Sequence, residues 1–323
     1  MASHTHHDHD WASKLTYMRL GDRVRAGVQQ VVAERLVGMV GDRATVVDVG
    51  SGTGGMAAQF ALALQARGGG TVVLVDAVPE LLDAAADHVR SRLGANAASA
   101  EYGPSSPSDL STPVVRHHTL PHHGALDGIV EVVTILGDAT GDSVRDQVPD
   151  ADLVWASFVV HHLRDQQVGI QSLTEMLRPG GLLALVEGGL GTQCLPWDLG
   201  VGAPGLVDRV AAARKHWFAE MRAGIPGTTR LPVGWTTALT RAGLIDVTSF
   251  SYLVDLPAPV SDDVRAFVVG WFDHIASASV DRLDEDDRRA VARLLDPNDD
   301  VYVGRRDDLF YLASDTVNLG RRP

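Results

Sequence analysis

A short run of β-branched residues that ends in a glycine cluster, VVDVGSGTGG at 46–55, constrains the fold more than any other feature. The run suits a buried strand, and the glycines allow tight turns that residues with side chains resist. A strongly helical segment, GGMAAQFALALQAR, follows at once, and a second strand-like run, TVVLVD, comes after it. A strand, a helix and a second strand in this order predict a parallel α/β sheet.

The alternation of strands and helices then continues along the chain. Further strands are predicted at IVEVVTILGDA, ADLVWASFVV and LLALVEGG, with a helix at QQVGIQSLTEMLRPGG and a closing strand within DDLFYLASDTVNLGRR. This spacing is typical of a doubly wound sheet. A helical pattern from Trp11 to Val40 precedes it. We therefore expect a helical cap at 1–40 and one α/β domain at 41–323, with insertions at about 94–128, 189–230 and 253–305.

Two overlapping glycine patterns leave two classes of cofactor open. Gly50, Gly52 and Gly55 match the turn that holds the pyrophosphate of a dinucleotide. Gly50, Gly52 and Gly54 also match a turn that holds S-adenosylmethionine (SAM). Asp48, inside the first strand, favours SAM, because a buried carboxylate is costly unless a partner compensates it. The cationic ammonium and sulfonium of SAM supply that compensation, whereas a pyrophosphate would repel the carboxylate.

Acidic residues at the ends of later strands support an adenosine ligand. Asp76, at the tip of the second strand, can accept hydrogen bonds from both hydroxyls of a ribose. Asp138, at the end of the third, can accept one from an adenine amino group. Either aspartate taken alone would also suit a helix N-cap. Their joint occurrence favours a binding role.

In chain order, VVDVGSGTGG, VVLVDA, ILGDA, DLVWASFVVHHL and LRPGGLLALVE resemble the successive motifs of class I SAM-dependent methyltransferases, over roughly Ala44 to Gly188. The resemblance implies a doubly wound seven-stranded sheet whose last strand is antiparallel, with SAM as cofactor and S-adenosylhomocysteine (SAH) as product. It implies that the methionyl group lies over the glycine turn and that the amide of Ala139 helps to read adenine. The predicted cofactor contacts are Asp48, Gly50, Ser51, Gly52, Gly54, Asp76, Ala77, Asp138, Ala139 and Ser157.

Residues after the fourth and fifth strands are the candidates for catalysis. Methyl transfer depends mainly on positioning, and a general base is needed only when the acceptor carries a proton at neutral pH. His161 and His162 follow the fourth strand, beside the expected position of the methyl group, and either could act as that base. Equally, HHL could be a helix start whose histidines only pack and bond to backbone. Glu187, at the tip of the fifth strand, is expected to point toward the acceptor.

Aromatic residues concentrate in the N-terminal helix and in the insertions. Trp11, Tyr17, Trp217 and Trp271 are the predicted substrate contacts, although such residues at helical spacing also suit an ordinary core. We expect the insertions to form an apolar helical lid over a medium-sized organic acceptor. The favoured function is O- or C-methylation of a small molecule of secondary metabolism, and N-methylation stays open.

Two functions of other classes remain as alternatives. The fold could hold SAM or SAH as a scaffold for a non-methylating reaction, such as a cyclisation. It could also serve an NAD(P)-dependent oxidoreductase, although Asp48 opposes that reading and the sequence contains no Tyr-x-x-x-Lys pair.

The charge and hydropathy of the chain argue against large anionic partners. A formal net charge of −13 and a pI near 5.3 do not suit nucleic-acid binding, which needs clustered cations. No apolar run approaches the roughly 18 residues that span a bilayer. Almost all basic residues are arginine, which we interpret as coding bias rather than guanidinium chemistry.

The few potential metal and redox ligands predict neither a metal cofactor nor a disulfide. Cys194 is the only cysteine, which suits a reducing, cytoplasmic setting. A histidine cluster at residues 4–9 is expected to be a solvated leader with at most opportunistic metal binding. A homodimer stays open.

Overall fold

A central sheet organises the protein, in a computed structural model that describes residues 11–94, 114–118, 128–138 and 141–323. Within these ranges the sheet has eight strands. The strands are β1 Thr45–Val49, β2 Gly70–Asp76, β3 Val114–His118, β4 Val130–Leu136, β5 Ala151–Ser157, β6 Leu177–Gln193, β7 Ile245–Leu256 and β8 Tyr311–Arg321.

The strand order is β3-β4-β2-β1-β5-β6-β8-β7. Strands β4, β2, β1, β5 and β6 run parallel, with Asp48 of β1 level with Leu74 of β2 and Trp155 of β5. The predicted seven-stranded sheet with its last strand antiparallel is confirmed. An eighth strand, β3, pairs antiparallel with β4 at the edge, inside a segment predicted to be an insertion or loop. The carboxyl ends of the central strands meet at one edge, where α/β proteins bind ligands.

Helices cover both faces of the sheet. In chain order they are α1 Trp11–Val40, α2 Gly55–Gln65, α3 Pro79–Arg92, α4 Asp142–Arg145, α5 Gln166–Glu175, α6 Leu206–Gly224, α7 Trp235–Arg241, α8 Asp262–Ser277 and α9 Glu285–Leu295. The predicted helix at 11–40 is confirmed. Predicted to end at Pro-Gly-Gly, the helix α5 instead stops at Glu175, and LRPGG starts β6 with an irregular register against β5.

Successive strand residues face opposite cores, as the pleat of a strand requires. Val46 of β1 packs in a core with residues of α1, α2 and α3, of which Phe60 is fully buried. Val47 packs in the other, with residues of α4, α5 and α7, including Leu173. Because both faces are covered, the central strands consist almost entirely of apolar residues.

The chain divides into two compact units. Unit 1 comprises residues 1–188, 230–252 and 315–323, and unit 2 comprises 189–229 and 253–314. Unit 2 contains α6, α8 and α9, and its core includes Phe267, whose ring meets that of Tyr311 edge-on at 5.2 Å. Across the described ranges, every helix is too short or too polar to cross a membrane.

Candidate active site

The glycine turn after β1 is held against the end of β2 by its backbone. The amides of Gly50 and Ser51 both donate to the carbonyl of Val75, at 2.7 and 3.1 Å. Gly50, Gly52 and Gly54 have φ angles of 68°, 55° and 79°, which are left-handed conformations that favour glycine. The pattern of alternate glycines is therefore a conformational requirement of this turn.

Close neighbours leave no room for side chains on this turn. A Cβ on Gly54 would lie 2.8 Å from the Cα of Ala85 in α3, and one on Gly50 would lie 2.4 Å from Cγ2 of Val159. The segment that follows β5 thus touches the turn that follows β1. Both segments belong to unit 1, so the motif at 46–55 and the motif at 151–163 form one site.

Asp76 links three segments at the edge of the sheet. Its Oδ2 accepts from the amide of Gly52 at 2.9 Å and its Oδ1 from the amide of Val78 at 3.0 Å, while its carbonyl accepts from Gly137 at 2.9 Å. The amide of Ala77 also donates to this carboxylate, whose two oxygens together can accept about four hydrogen bonds. Burial raises the pKa of Asp76, and Lys14 of α1 opposes that rise.

Asp48 lies buried at the end of β1 as the sequence predicts, next to other acids. Its side chain accepts from the amide of Ala57 in the first turn of α2, where the helix dipole favours negative charge. Burial, together with the nearby carboxylates Asp76 and Asp22, nevertheless raises the pKa of Asp48 to about 8. A cationic ligand beside Asp48 would offset the free-energy cost of ionising this buried carboxylate.

Asp22 of α1 is a site residue that the sequence analysis missed. Its Oδ2 accepts from the hydroxyl of Thr53 at 2.5 Å, and His88 of α3 lies 4.0 Å from the same oxygen. A Cβ on Gly55 would lie 2.2 Å from Oδ1 of Asp22. The third glycine of the dinucleotide pattern thus leaves space for α1, and only the packing of α1 on α2 reveals this.

The remaining predicted cofactor contacts are distributed along the same edge of the sheet. Ser51 is buried and its Oγ has no hydrogen-bond partner in the described part of the chain, while Ala77 and Ser157 are half-buried at the ends of β2 and β5. Asp138 is exposed after β4. Ala139 lies outside the described residues.

Glu187 lies at the tip of β6, as the sequence predicts. Its side chain is fully buried, and its Oε1 accepts from the amides of Val159 and Val160 at 2.9 and 2.5 Å. Its Oε2 lies 2.6 Å from Nδ1 of His161. Both carboxylate oxygens thus contact the segment that follows β5.

The two histidines of this segment differ in their surroundings. His161 is half-buried and bonded to Glu187, whereas the adjacent His162 is exposed, with ring centroids 4.0 Å apart. Phe158, just before them, has a φ of 56° and is 41% exposed. A non-glycine residue in a left-handed conformation is costly and is often found at functional sites.

The predicted substrate contacts lie in different units. Trp11 begins α1, and Tyr17, half-buried, lies farther along that helix in unit 1. Trp217 and Trp271 are half-buried on α6 and α8 of unit 2. Within the described ranges, no group of three or more histidine, cysteine or acidic side chains could hold a metal ion, and the histidines at 4–9 lie outside those ranges.

The fold brings the predicted cofactor residues together at the carboxyl edge of a parallel α/β sheet. Residues 47–183 match the family model described as a methyltransferase domain. This stretch begins inside β1 and ends inside β6, so it contains the glycine turn, Asp76 and His161. Over these residues the chain is therefore similar to methyltransferase domains.

Matches among solved structures have low sequence identity and TM-scores below 0.5. The YcgJ protein of Bacillus subtilis is 16% identical, with 92% of this chain and 98% of that chain covered and a TM-score of 0.43. Phosphoethanolamine N-methyltransferase 2 of Haemonchus contortus, solved with SAH, is 14% identical, with 88% and 50% covered and a TM-score of 0.40. The [4+2]-cyclase SpnF is 18% identical, with 92% and 81% covered and a TM-score of 0.40. A search among curated proteins finds no match.

Proposed function

We propose that the protein transfers the methyl group of SAM to an oxygen or carbon atom of a small organic acceptor, with His161 as general base. The observation that carries this proposal is the bond between His161 and the buried carboxylate of Glu187, in a segment that touches the glycine turn. An oxygen or carbon acceptor carries a proton that must be removed, so methyl transfer to it requires a general base.

The residues of the turn fit SAM better than a dinucleotide. Asp48 is a buried acid whose pKa is raised to about 8, and a cationic amino group would compensate it. The Oγ of Ser51 is buried without a partner among the described residues and suits a polar ligand atom. The pyrophosphate of NAD would instead add negative charge beside Asp48 and Asp76. The cofactor contacts predicted from the sequence therefore stand as our proposal for SAM.

The pair of Glu187 and His161 determines which nitrogen can act as the base. Glu187 accepts a hydrogen bond from Nδ1 of His161. The neutral imidazole therefore has its proton on Nδ1 and an available lone pair on Nε2. A proton taken from the acceptor at Nε2 creates an imidazolium, which Glu187 stabilises. SAM, when bound, supplies a methyl group activated by a sulfonium. His162 is exposed, whereas His161 contacts the buried carboxylate, so we assign the base to His161.

The nature of the acceptor is proposed from the helices of unit 2. Trp217 and Trp271 are half-buried on α6 and α8, and we retain them as the acceptor contacts predicted from the sequence. The net charge of −13 disfavours a nucleic-acid acceptor. The buried single thiol, Cys194, is consistent with our placing the enzyme in the cytoplasm.

The test is an assay of SAH formation from SAM with a set of phenols and of carbon acids with activated methylene groups. With any acceptor that is methylated, we expect His161→Asn to lower kcat by about 100-fold or more, because the base is lost. Glu187→Gln should lower kcat less, by about tenfold, and should shift the pH profile of kcat, since the imidazolium loses its partner.

His162→Asn is the matched control and should retain kcat within about threefold. SAH affinity, measured by calorimetry for each variant, should change by no more than a few-fold. Equal activity of the two histidine variants would remove the base from the mechanism. SAH binding without methylation of any acceptor would instead favour the use of the cofactor as a scaffold.

A further inference from the structure

Arg214, on α6 of unit 2, has a buried guanidinium nitrogen that no acceptor satisfies among the described residues. Several arginines of the unit form ion pairs with carboxylates, as in Arg209–Asp287, Arg282–Glu220, Arg293–Asp299 and Arg306–Asp308. Arg214 pairs with no carboxylate among the described residues, and burial lowers its pKa. It therefore differs from the arginines of this unit that a carboxylate neutralises.

The guanidinium of Arg214 is held in place by aromatic residues. Its Cζ lies 3.8 Å from the centroid of the Trp217 ring, one turn farther along α6. Its Nη2 lies 3.5 Å from Nε2 of His274 on α8. Its Nη1 is buried and has no hydrogen-bond partner among the described residues.

An unsatisfied charged donor in the interior is costly, because it has lost water and gained no acceptor. The flat face of the guanidinium stacks on Trp217. Its N–H groups therefore point outward, in the plane of the guanidinium. A planar edge of this kind matches the two oxygens of a carboxylate. An anionic ligand that accepts hydrogen bonds from Arg214 would therefore offset the free-energy cost of its unsatisfied, buried N–H group.

We propose that Arg214, stacked on Trp217 and adjacent to His274, binds the carboxylate of an organic ligand. The identification of this ligand with the methyl acceptor rests on the function proposed above. A single guanidinium balances the single charge of a carboxylate, and the neighbouring Lys215 is exposed and projects from another side of α6. Trp271, one turn before His274 on α8, provides apolar surface for the body of the ligand.

The test compares the binding of benzoate, benzamide and phenyl phosphate to the full chain by calorimetry, with and without SAH. We expect the wild-type protein to bind benzoate roughly tenfold more tightly than benzamide, since only benzoate can form a charge-assisted pair. Arg214→Gln should abolish this preference. Arg214→Lys keeps the charge but loses the planar fork, and should weaken benzoate binding.

Arg288→Gln is the matched control, because it removes the same charge from an exposed position on α9 of the same unit and should preserve the preference. Equal binding of benzoate and benzamide to the wild-type protein would overturn the proposal, as would a preference that survives in Arg214→Gln. Tighter binding of phenyl phosphate would contradict the carboxylate assignment. SAH binding measured in the same samples separates this failure from that of the proposed function.

Discussion

The two units of this protein are stabilised in different ways. Unit 1 has a sheet with an apolar core on each face, and its arginine–carbonyl bonds include those from Arg321 and Arg322 at the end of the chain. Unit 2 joins its loops to its helices with arginines. Arg265 donates to the carbonyls of Gly304 and Arg306, and Arg306 donates to the carbonyl of Leu199.

This difference shows where local sequence carries structural information. In unit 1, the residue type follows from the local backbone, as with glycine at a positive φ angle. In unit 2, an arginine often bonds to a carbonyl far away in the chain, and nothing in its own neighbourhood indicates that partner. The interpretation of the arginine content as coding bias rather than guanidinium chemistry was therefore wrong for these residues.

The largest effect is expected when the same backbone strain is introduced into each unit by a glycine-to-alanine substitution. Gly54→Ala and Gly202→Ala both add a Cβ at a positive φ angle, 79° and 70°, and both meet a neighbouring atom at 2.8 Å. We expect each to destabilise the protein by roughly 2–4 kcal/mol. Only Gly54→Ala should also abolish SAH binding, because it displaces the glycine turn.

Calorimetric titration with SAH and, separately, with NAD measures the loss of cofactor binding. Thermal unfolding measures the destabilisation that the strain causes. Gly38→Ala is the control, because this glycine lies within α1 with nothing near its Cβ position, so alanine should stabilise the helix slightly. Loss of SAH binding in Gly202→Ala would show that the cofactor site does not reside in unit 1 alone. Binding of NAD but not SAH by the wild-type protein would refute the SAM assignment.

A smaller effect is expected from the buried acid of unit 1. Burial raises the pKa of Asp48 from 3.8 to about 8, so the folded protein holds a proton that the unfolded chain releases in that window. The resulting stability is present below pH 4 and is lost as pH rises to about 8 and beyond. Asp48→Asn mimics the protonated acid and should raise Tm by roughly 2–6 °C at pH 8.5, with little change at pH 5.

Thermal unfolding of the free protein across pH 5 to 9, followed by SAM titration at each pH, is the measurement. Wild-type affinity for cationic SAM should increase up to about pH 8, since Asp48 must lose its proton to pair with the ligand. Asp150→Asn, at an exposed position of the same unit, should behave like the wild type. Identical pH profiles for Asp48→Asn and the wild type would mean that this carboxylate is already ionised in the free protein.

The smallest effect concerns the ion pair of unit 2. Arg209 donates Nε and Nη2 to the two oxygens of Asp287, at 2.6 and 2.8 Å, and Asp287 is buried. Because Arg209 is 39% exposed, solvent weakens the pair, and we expect Arg209→Ala to cost about 1–2 kcal/mol. SAH affinity should stay unchanged. A double-mutant cycle with Asp287→Ala gives the energy of the pair, and a coupling near zero would contradict its role.

Much of unit 1 could be predicted from the sequence, because its strands are short apolar runs that end in glycine or aspartate. The helix at 11–40 and the acidic strand ends were predicted in this way. Strand β3 was not, since it lies in a segment without clear periodicity and depends on pairing with β4. Asp22 was missed because its role depends on how α1 packs beside Thr53, which is distant in sequence.

The histidines and Glu187 were recognised as candidates, but the bonds between them were not predicted. The end of a strand predicts where a side chain emerges and cannot show that backbone amides of another segment will enclose it. Unit 2 was predicted only as helices with aromatic residues. The exceptional character of Arg214 became visible only when the partners of the other arginines were known.

The carboxylate of Glu187 bonds both to a histidine side chain and to the backbone beside the glycine turn. It bonds to His161 and also to the amide of Val159, whose side chain rests against Gly50 of the cofactor turn. The orientation of His161 and the position of the segment that packs on the glycine turn therefore depend on the same buried carboxylate.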